Sequence, residues 1–227
     1  MLKHLAALLI GLAVFPAANA QQAAARPTFE AGKQYFLVEP PQPTTTGDKI
    51  EVLEVFSYAC PACNSFRSFA NAIKSALPAN AEMRYLPAAF RADEDWPVFQ
   101  RAFFAAQSLG LVDKTHDAMF DAVWKDGSLK INDPVTRRLV NPLPTIEDVA
   151  KFYANYGVKA DEFVGVANSF AVNTKMKRAD AQIKAYGVDS TPTIIVNGKY
   201  RLTGVSAGGW DKVPALVKYL IEQESHK

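Results

Sequence analysis

The chain has 227 residues, 49% hydrophobic and 21% charged, with a formal net charge of +2. That composition is globular and long enough for one large domain or two small ones. Its near-neutral balance argues against nucleic acid or an acidic membrane surface as a partner.

The first stretch reads as an address rather than as part of the fold. Lys3 and His4 precede an apolar run, Leu5–Phe15, and Ala18-Asn19-Ala20 has the small-x-small pattern of a cleavage site. This predicts a secretory signal peptide over residues 1–20, cut after Ala20. An uncleaved anchor is the competing reading, but the run is short for a bilayer and no other stretch is a spanning candidate. Residues 21–28 are small and polar and are expected to be flexible. Export would carry the two cysteines into an oxidising environment.

Tyr35–Val38 is a candidate edge strand, followed by a turn built on Pro40, Pro41, Pro43 and Thr44–Asp48. Ile50–Phe56 (IEVLEVF) then suits a strand buried on both faces. After a short turn, Ser57–Ala59, comes Cys60-Pro61-Ala62-Cys63, and Phe66, Phe69, Ala70 and Ile73 continue at helical spacing. Two cysteines therefore sit where a strand ends and a helix begins, with Pro61 in the first turn, where its missing N–H costs nothing. The free amides and dipole of a helix start favour a thiolate at Cys60 and lower its pKa. A low-pKa thiol is also a good leaving group in disulfide exchange, and Cys63, one turn on, is placed to resolve it.

Two plainer readings of the pair are weaker. A Cys60–Cys63 bridge closes too small a loop to staple the fold. Zinc normally takes four ligands, and the only other candidates of its softer kind are His4, His116 and His226, distant in sequence.

Further on, Ala81–Pro87 alternates as the next strand, giving strand–helix–strand with a right-handed crossover. From Arg91 to Ala171 the pattern is helical. Val98–Leu109 presents Phe99, Ala102, Phe103 and Ala106; His116–Trp124 presents Met119, Phe120 and Val123; Thr145–Tyr156 opens on a cap with Asp148; Asp161–Phe170 is shorter. His116, among Lys114, Thr115 and Asp117, is expected at the surface. Lys125–Pro144, between helices, reads as a lid or an ordered excursion, the second being preferred. A long helix, Thr174–Tyr186, carries Lys175, Lys177, Arg178 and Lys184 as a solvated face and ends at Gly187. Val188–Pro192 leads into Thr193–Val196, Asn197-Gly198 and Lys199–Leu202, a strong hairpin signal. Pro192, where a turn meets a strand, is a position that tolerates a cis bond. The last helix is Trp210–Glu222.

Taken together, these pieces resemble thioredoxin-fold proteins, and the helical block resembles the DsbA family of secreted thiol:disulfide oxidoreductases. Gly32-Lys33-Gln34-Tyr35, Leu53–Ser57 running into the cysteine pair, Asn168-Ser169-Phe170 and Val196–Tyr200 are similar to that family, over essentially Phe29 to the end. The resemblance implies an α/β fold, a thioredoxin-like mixed sheet flanked by helices, from residues 29–90 and 172–227, with an inserted helical domain over 91–171. It implies Cys60 as the accessible nucleophile, Cys63 as the buried resolving thiol, and Pro192 as a cis-proline facing them. Thr191 would offer backbone hydrogen bonds to an extended substrate, with Pro61 and Ala62 beside it. Glu54 aligns with a buried acid beneath the site. Read from its residues, a lone carboxylate in an apolar strand suits proton exchange with Cys63, unless it pairs with Lys49 or Arg84.

Two features depart from the family. Ala62 stands where the best-known oxidases have His, which predicts a weaker oxidant, and Lys125–Pro144 looks expanded. No metal, nucleotide or flavin is needed. The expected partners are exported proteins with free cysteines and a DsbB-like, quinone-linked membrane oxidase that restores the disulfide. A monomer in the periplasm is expected, since there is no room for an isomerase's dimerisation domain. The alternatives are a secreted thioredoxin-like reductase or isomerase, and a peptide-binding holdase in which the thiols play no part.

Overall fold

The computed structural model describes residues 28–225. The expected signal peptide, its cut after Ala20 and the flexible stretch after it lie outside these residues, save for Thr28.

The strand β2 (Ile50–Phe56) is buried along its whole length. Because successive side chains leave a strand on opposite faces, it feeds two cores. Ile50 and Val52 pack with Phe66 and Ile73 of α1 (Pro61–Ala76) and with Leu216 and Leu220 of α8 (Val213–Ser225). Leu53 and Val55 pack on the other side with Phe103 of α2 (Trp96–Ser108) and Ile183 of α6 (Phe170–Ala185). Burial on both faces explains the nearly unbroken apolar run.

The five-stranded sheet has the order β1-β5-β4-β2-β3. β2 runs parallel to β3 (Ala81–Pro87), Ile50 opposite Ala81, with α1 as the connection. It runs antiparallel to β4 (Thr193–Val196), which pairs with β5 (Tyr200–Thr203), and β5 carries the two-residue edge β1 (Phe36–Leu37). The helices α2, α3 (Val112–Trp124), α4 (Ile146–Ala154), α5 (Ala160–Ala167) and α6 all lie between β3 and β4 in sequence, and α7 (Gly204–Ala207) follows β5.

Local signals set most boundaries. Thr145 and Asp148 cap α4 reciprocally, each side chain accepting from the other's backbone N–H. The helix α6 begins at Phe170, a turn before the expected Thr174, because the Ser169 hydroxyl accepts from the Val172 N–H at 3.2 Å. Its basic residues behave as anticipated: Lys177, Arg178 and Lys184 are exposed, while Lys175 reaches Gln107 and Ser108. Residues 125–144 form an ordered excursion. Leu129 and Ile131 are buried, and the Val140 N–H donates back to the Ile131 carbonyl at 2.9 Å.

The β4–β5 turn has Asn197 at φ 51° and Gly198 at φ 66°, the two positive values that a tight hairpin turn requires. A methyl group on Gly198 would run into the Gln42 carbonyl oxygen. Gly198→Ala is therefore expected to lower stability by at least about 1 kcal/mol, which a denaturant midpoint would measure.

Candidate active site

Cys60 is the N-cap of α1, in extended backbone conformation, and Pro61 opens the helix. The Cys63 N–H points back at the Cys60 sulfur, at 3.3 Å. The Cys60 thiol in turn faces the Thr191 carbonyl at 3.6 Å. The two cysteines are not bridged to each other. Cys60 retains 5% exposure and Cys63 none, so only the first offers a path to an incoming sulfur. The Thr191–Pro192 bond is cis and directly precedes β4.

The electrostatics separate the two sulfurs. Hydrogen bonding from the Cys63 thiol, then from the Cys63 and Ala62 amides, pulls Cys60 down to about 6 against the opposing effect of burial. The Thr191 hydroxyl is buried without a hydrogen-bond partner among the described residues, and the bond that links Thr191 to the sulfur runs through its carbonyl. Burial and the neighbouring Cys60 push Cys63 well above the usual thiol range. One sulfur is thus a thiolate at neutral pH and the other a protonated thiol.

Glu54, on β2, is 2% exposed, and its Oε2 has no partner among the described residues. Burial, and after it the charges of Cys60 and Asp117, raise its carboxyl to about 8. The alternative pairing fails, because Lys49 and Arg84 both bond Glu82 instead. The carboxylate is not alone in its strand, however. Glu51 is 1% exposed, but its Oε2 accepts from the Thr45 N–H and hydroxyl at 2.8 and 2.6 Å. Two buried acids three residues apart therefore differ in having partners.

His116 is a correction to the sequence reading. It is buried, and its Nδ1 lies 2.9 Å from the Tyr58 hydroxyl. Burial, followed by the charges of Lys74 and Arg67, lowers its pKa to about 3. The neutral ring therefore accepts from the tyrosine, whose own pKa burial raises. His116 also stacks on Tyr85, with ring centroids 4.1 Å apart. Further along α3, the Trp124 indole N–H donates to the Tyr58 carbonyl at 2.7 Å. The helical insertion thus grips the turn that delivers Cys60, at both the side chain and the backbone of Tyr58. A signal for His116 was present, since it shares the i, i+3, i+4, i+7 stripe with Met119, Phe120 and Val123.

A cleft of about 490 Å³ runs beside the cysteines, with Ala62, Thr191, Pro192, Phe36, Val205 and Trp210 among its lining. Phe36 is 39% and Val205 92% exposed, so its rim is apolar and open.

A CxxC pair at a helix start, facing a cis-proline in this sheet, defines a thiol:disulfide oxidoreductase of the thioredoxin class. A family model described as "DSBA-like thioredoxin domain" matches residues 51–220, and the chain belongs to that family. It is similar to the thiol:disulfide interchange protein DsbA of Azotobacter vinelandii, 33% identical over 97% of this chain and 96% of that one. To the Pseudomonas aeruginosa DsbA it is 36% identical over 86% of each chain. Among solved structures, the Pseudomonas aeruginosa DsbA gives a TM-score of 0.73 at 35% identity, covering 87% of this chain and 95% of that one. The Xylella fastidiosa oxidoreductase DsbA gives 0.76 at 31%, covering 89% and 100%.

Two outcomes follow from the buried groups. Tyr58→Phe leaves the His116 Nδ1 buried without its donor, and denaturant unfolding should show a loss of about 1–3 kcal/mol. For Glu54, the folded pKa near 8 lies above the unfolded 4.5, so the folded state holds its proton longer. Its contribution is therefore fully present below pH 4.5 and is lost as pH rises towards 8, by about 1.4 kcal/mol per unit. Glu54→Gln should remove that slope from the stability of the reduced protein, measured across the same range.

Proposed function

We propose that this protein oxidises pairs of thiols in exported polypeptides in the periplasm, with the Cys60–Cys63 disulfide as the oxidant. A substrate thiolate attacks the Cys60 sulfur, giving a mixed disulfide, and Cys63 leaves as a thiolate that takes up a proton, for which Glu54 is the donor. The substrate's second thiolate then attacks its own bonded sulfur and releases Cys60 as a thiolate. The S–S bond has moved to the substrate and two electrons to the protein, which ends with Cys60 as a thiolate and Cys63 as a thiol. A DsbB-like membrane oxidase linked to quinone would restore the disulfide.

The observation that carries this reading is the unequal pair, a stabilised thiolate at the helix start above a buried thiol. The lowered pKa exists only in the reduced form, so it stabilises the reduced protein and raises the potential. With a pKa of about 6, ionisation at pH 7 contributes roughly 30 mV. Hydrogen bonding from Cys63 supplies most of this without a histidine at position 62.

Glu54 is assigned to proton exchange with Cys63, since it is uncharged at neutral pH and electrostatically coupled to that thiol. The cleft along Thr191 and Pro192 is assigned to an extended substrate segment, with Pro61 and Ala62 on its other side. Residues 29–90 and 172–227 supply the redox unit and 91–171 the insertion, with α6 joining the two. Export by a signal peptide cut after Ala20, and action as a monomer, complete the reading.

The test is the reduction potential as a function of pH, by equilibration with glutathione. A value well above about −270 mV, typical of reducing thioredoxins, is expected. Its slope should change from about 59 to about 30 mV per pH unit near pH 6, where Cys60 ceases to take a proton. A potential in the thioredoxin range would turn the reading to a reductase or isomerase. Cys60→Ser should abolish oxidation of a reduced substrate, and activity at the wild-type rate would sink the mechanism.

A further inference from the structure

We propose that the cleft on the far side of Pro61 is a second substrate subsite, one that takes an acidic residue close to the cysteine being oxidised. The inference deepens the oxidase reading and rests on it.

The cleft measures about 480 Å³, and Pro61, Trp124, Lys125, Lys130, Asp133 and Arg137 are among its lining. Pro61 directly follows Cys60, and Ala62 lines the groove that holds Thr191 and Pro192. The short ridge at the start of α1 therefore separates two clefts, one apolar and one charged, with the nucleophile between them. An extended peptide advances about 3.3 Å per residue, so a segment bonded to Cys60 reaches the charged cleft within a few residues.

The cleft carries one net positive charge, three basic side chains against two acidic ones. Asp126 and Asp133 also line it, but both are turned onto their own backbone. The Asp126 Oδ1 accepts from the Ser128 N–H at 2.8 Å. The Asp133 Oδ1 accepts from the Val135 and Thr136 N–H groups at 3.0 and 2.7 Å, and from the Thr136 hydroxyl at 3.0 Å. Lys130 adds an attraction to Asp133, yet among the described residues neither Lys125, Lys130 nor Arg137 is within ion-pair distance of a carboxylate. Three exposed cations thus face the cleft with donors to spare, and a carboxylate is the group that satisfies them.

The frame that carries them is fixed relative to the active site. Trp124 is tied to the Tyr58 carbonyl, two residues before Cys60. Leu129 and Ile131 are buried around Lys130. The Asp133 N–H donates to the Arg138 carbonyl at 2.8 Å, and Arg137 takes a left-handed backbone with φ 57°. Such a preset arrangement asks little ordering of the protein when a ligand arrives.

The probes are reduced two-cysteine peptides that differ only in carrying Glu, Gln or Lys at one position two to four residues from the first cysteine. Each is oxidised by the purified protein, and kcat/KM is read at low and high salt. At the best position Glu should exceed Lys by about threefold to fivefold at low salt, the scale of exposed ion pairs. The advantage should shrink at high salt through screening. The double variant Lys130→Glu/Arg137→Glu should reverse the Glu-to-Lys ratio. Equal rates for Glu and Lys at every position, or a ratio unmoved by the double variant and by salt, would overturn the subsite while leaving the oxidase reading intact. Failure to oxidise any of the peptides would instead strike at the oxidase reading.

Discussion

The hydrogen bonding that Cys63 gives the Cys60 sulfur, from its thiol first and also from its amide, is the contact on which the chemistry turns. It exists because β2 stops and α1 starts within four residues, so that the open end of a helix is presented to a sulfur rather than to water. Strand burial on both faces holds that junction still. Pro61 then fixes the first turn without sacrificing a hydrogen bond. The asymmetry of the two sulfurs follows from position: one caps the helix, and the other lies a turn deeper in an apolar core.

The helical insertion has a similar stabilising part. It meets the active-site turn through a buried tyrosine–histidine pair and an indole–carbonyl bond, and α1 through Arg67, which bonds the Asp121 carboxylate at 2.7 Å. Each contact links α3 to the segment around the cysteines. The insertion is thus a wall and a brace for the redox unit, and its far end supplies the basic cleft.

Much of the fold was legible because its signals are local. The apolar run of β2, the Pro after Cys60, the Thr145 cap and the Asn-Gly turn each act within a few residues, and the structure has them where the pattern placed them. What the pattern did not reveal was decided by distant partners. His116 shares the apolar stripe of α3, but its charged neighbours mask that signal, and the partner that satisfies it inside, Tyr58, lies 58 residues away. Glu51 and Glu54 look alike in sequence, and only the placement of Thr45 separates them. The cleft beside Pro61 was equally hidden, since it needs residues from α1 and from the excursion after α3 at once.

Cys60 and the Thr191 carbonyl that its sulfur faces are 131 residues apart in the chain. They meet only because β4 lies against β2, with the whole helical insertion spanned between them. A polypeptide that has emerged only as far as the insertion carries a cysteine pair but no Thr191 to face it. Since chains emerge from their N-terminus first, the completed centre is a late product of synthesis. The protein therefore sets Thr191 against Cys60 only when most of its own chain is available to fold around the pair.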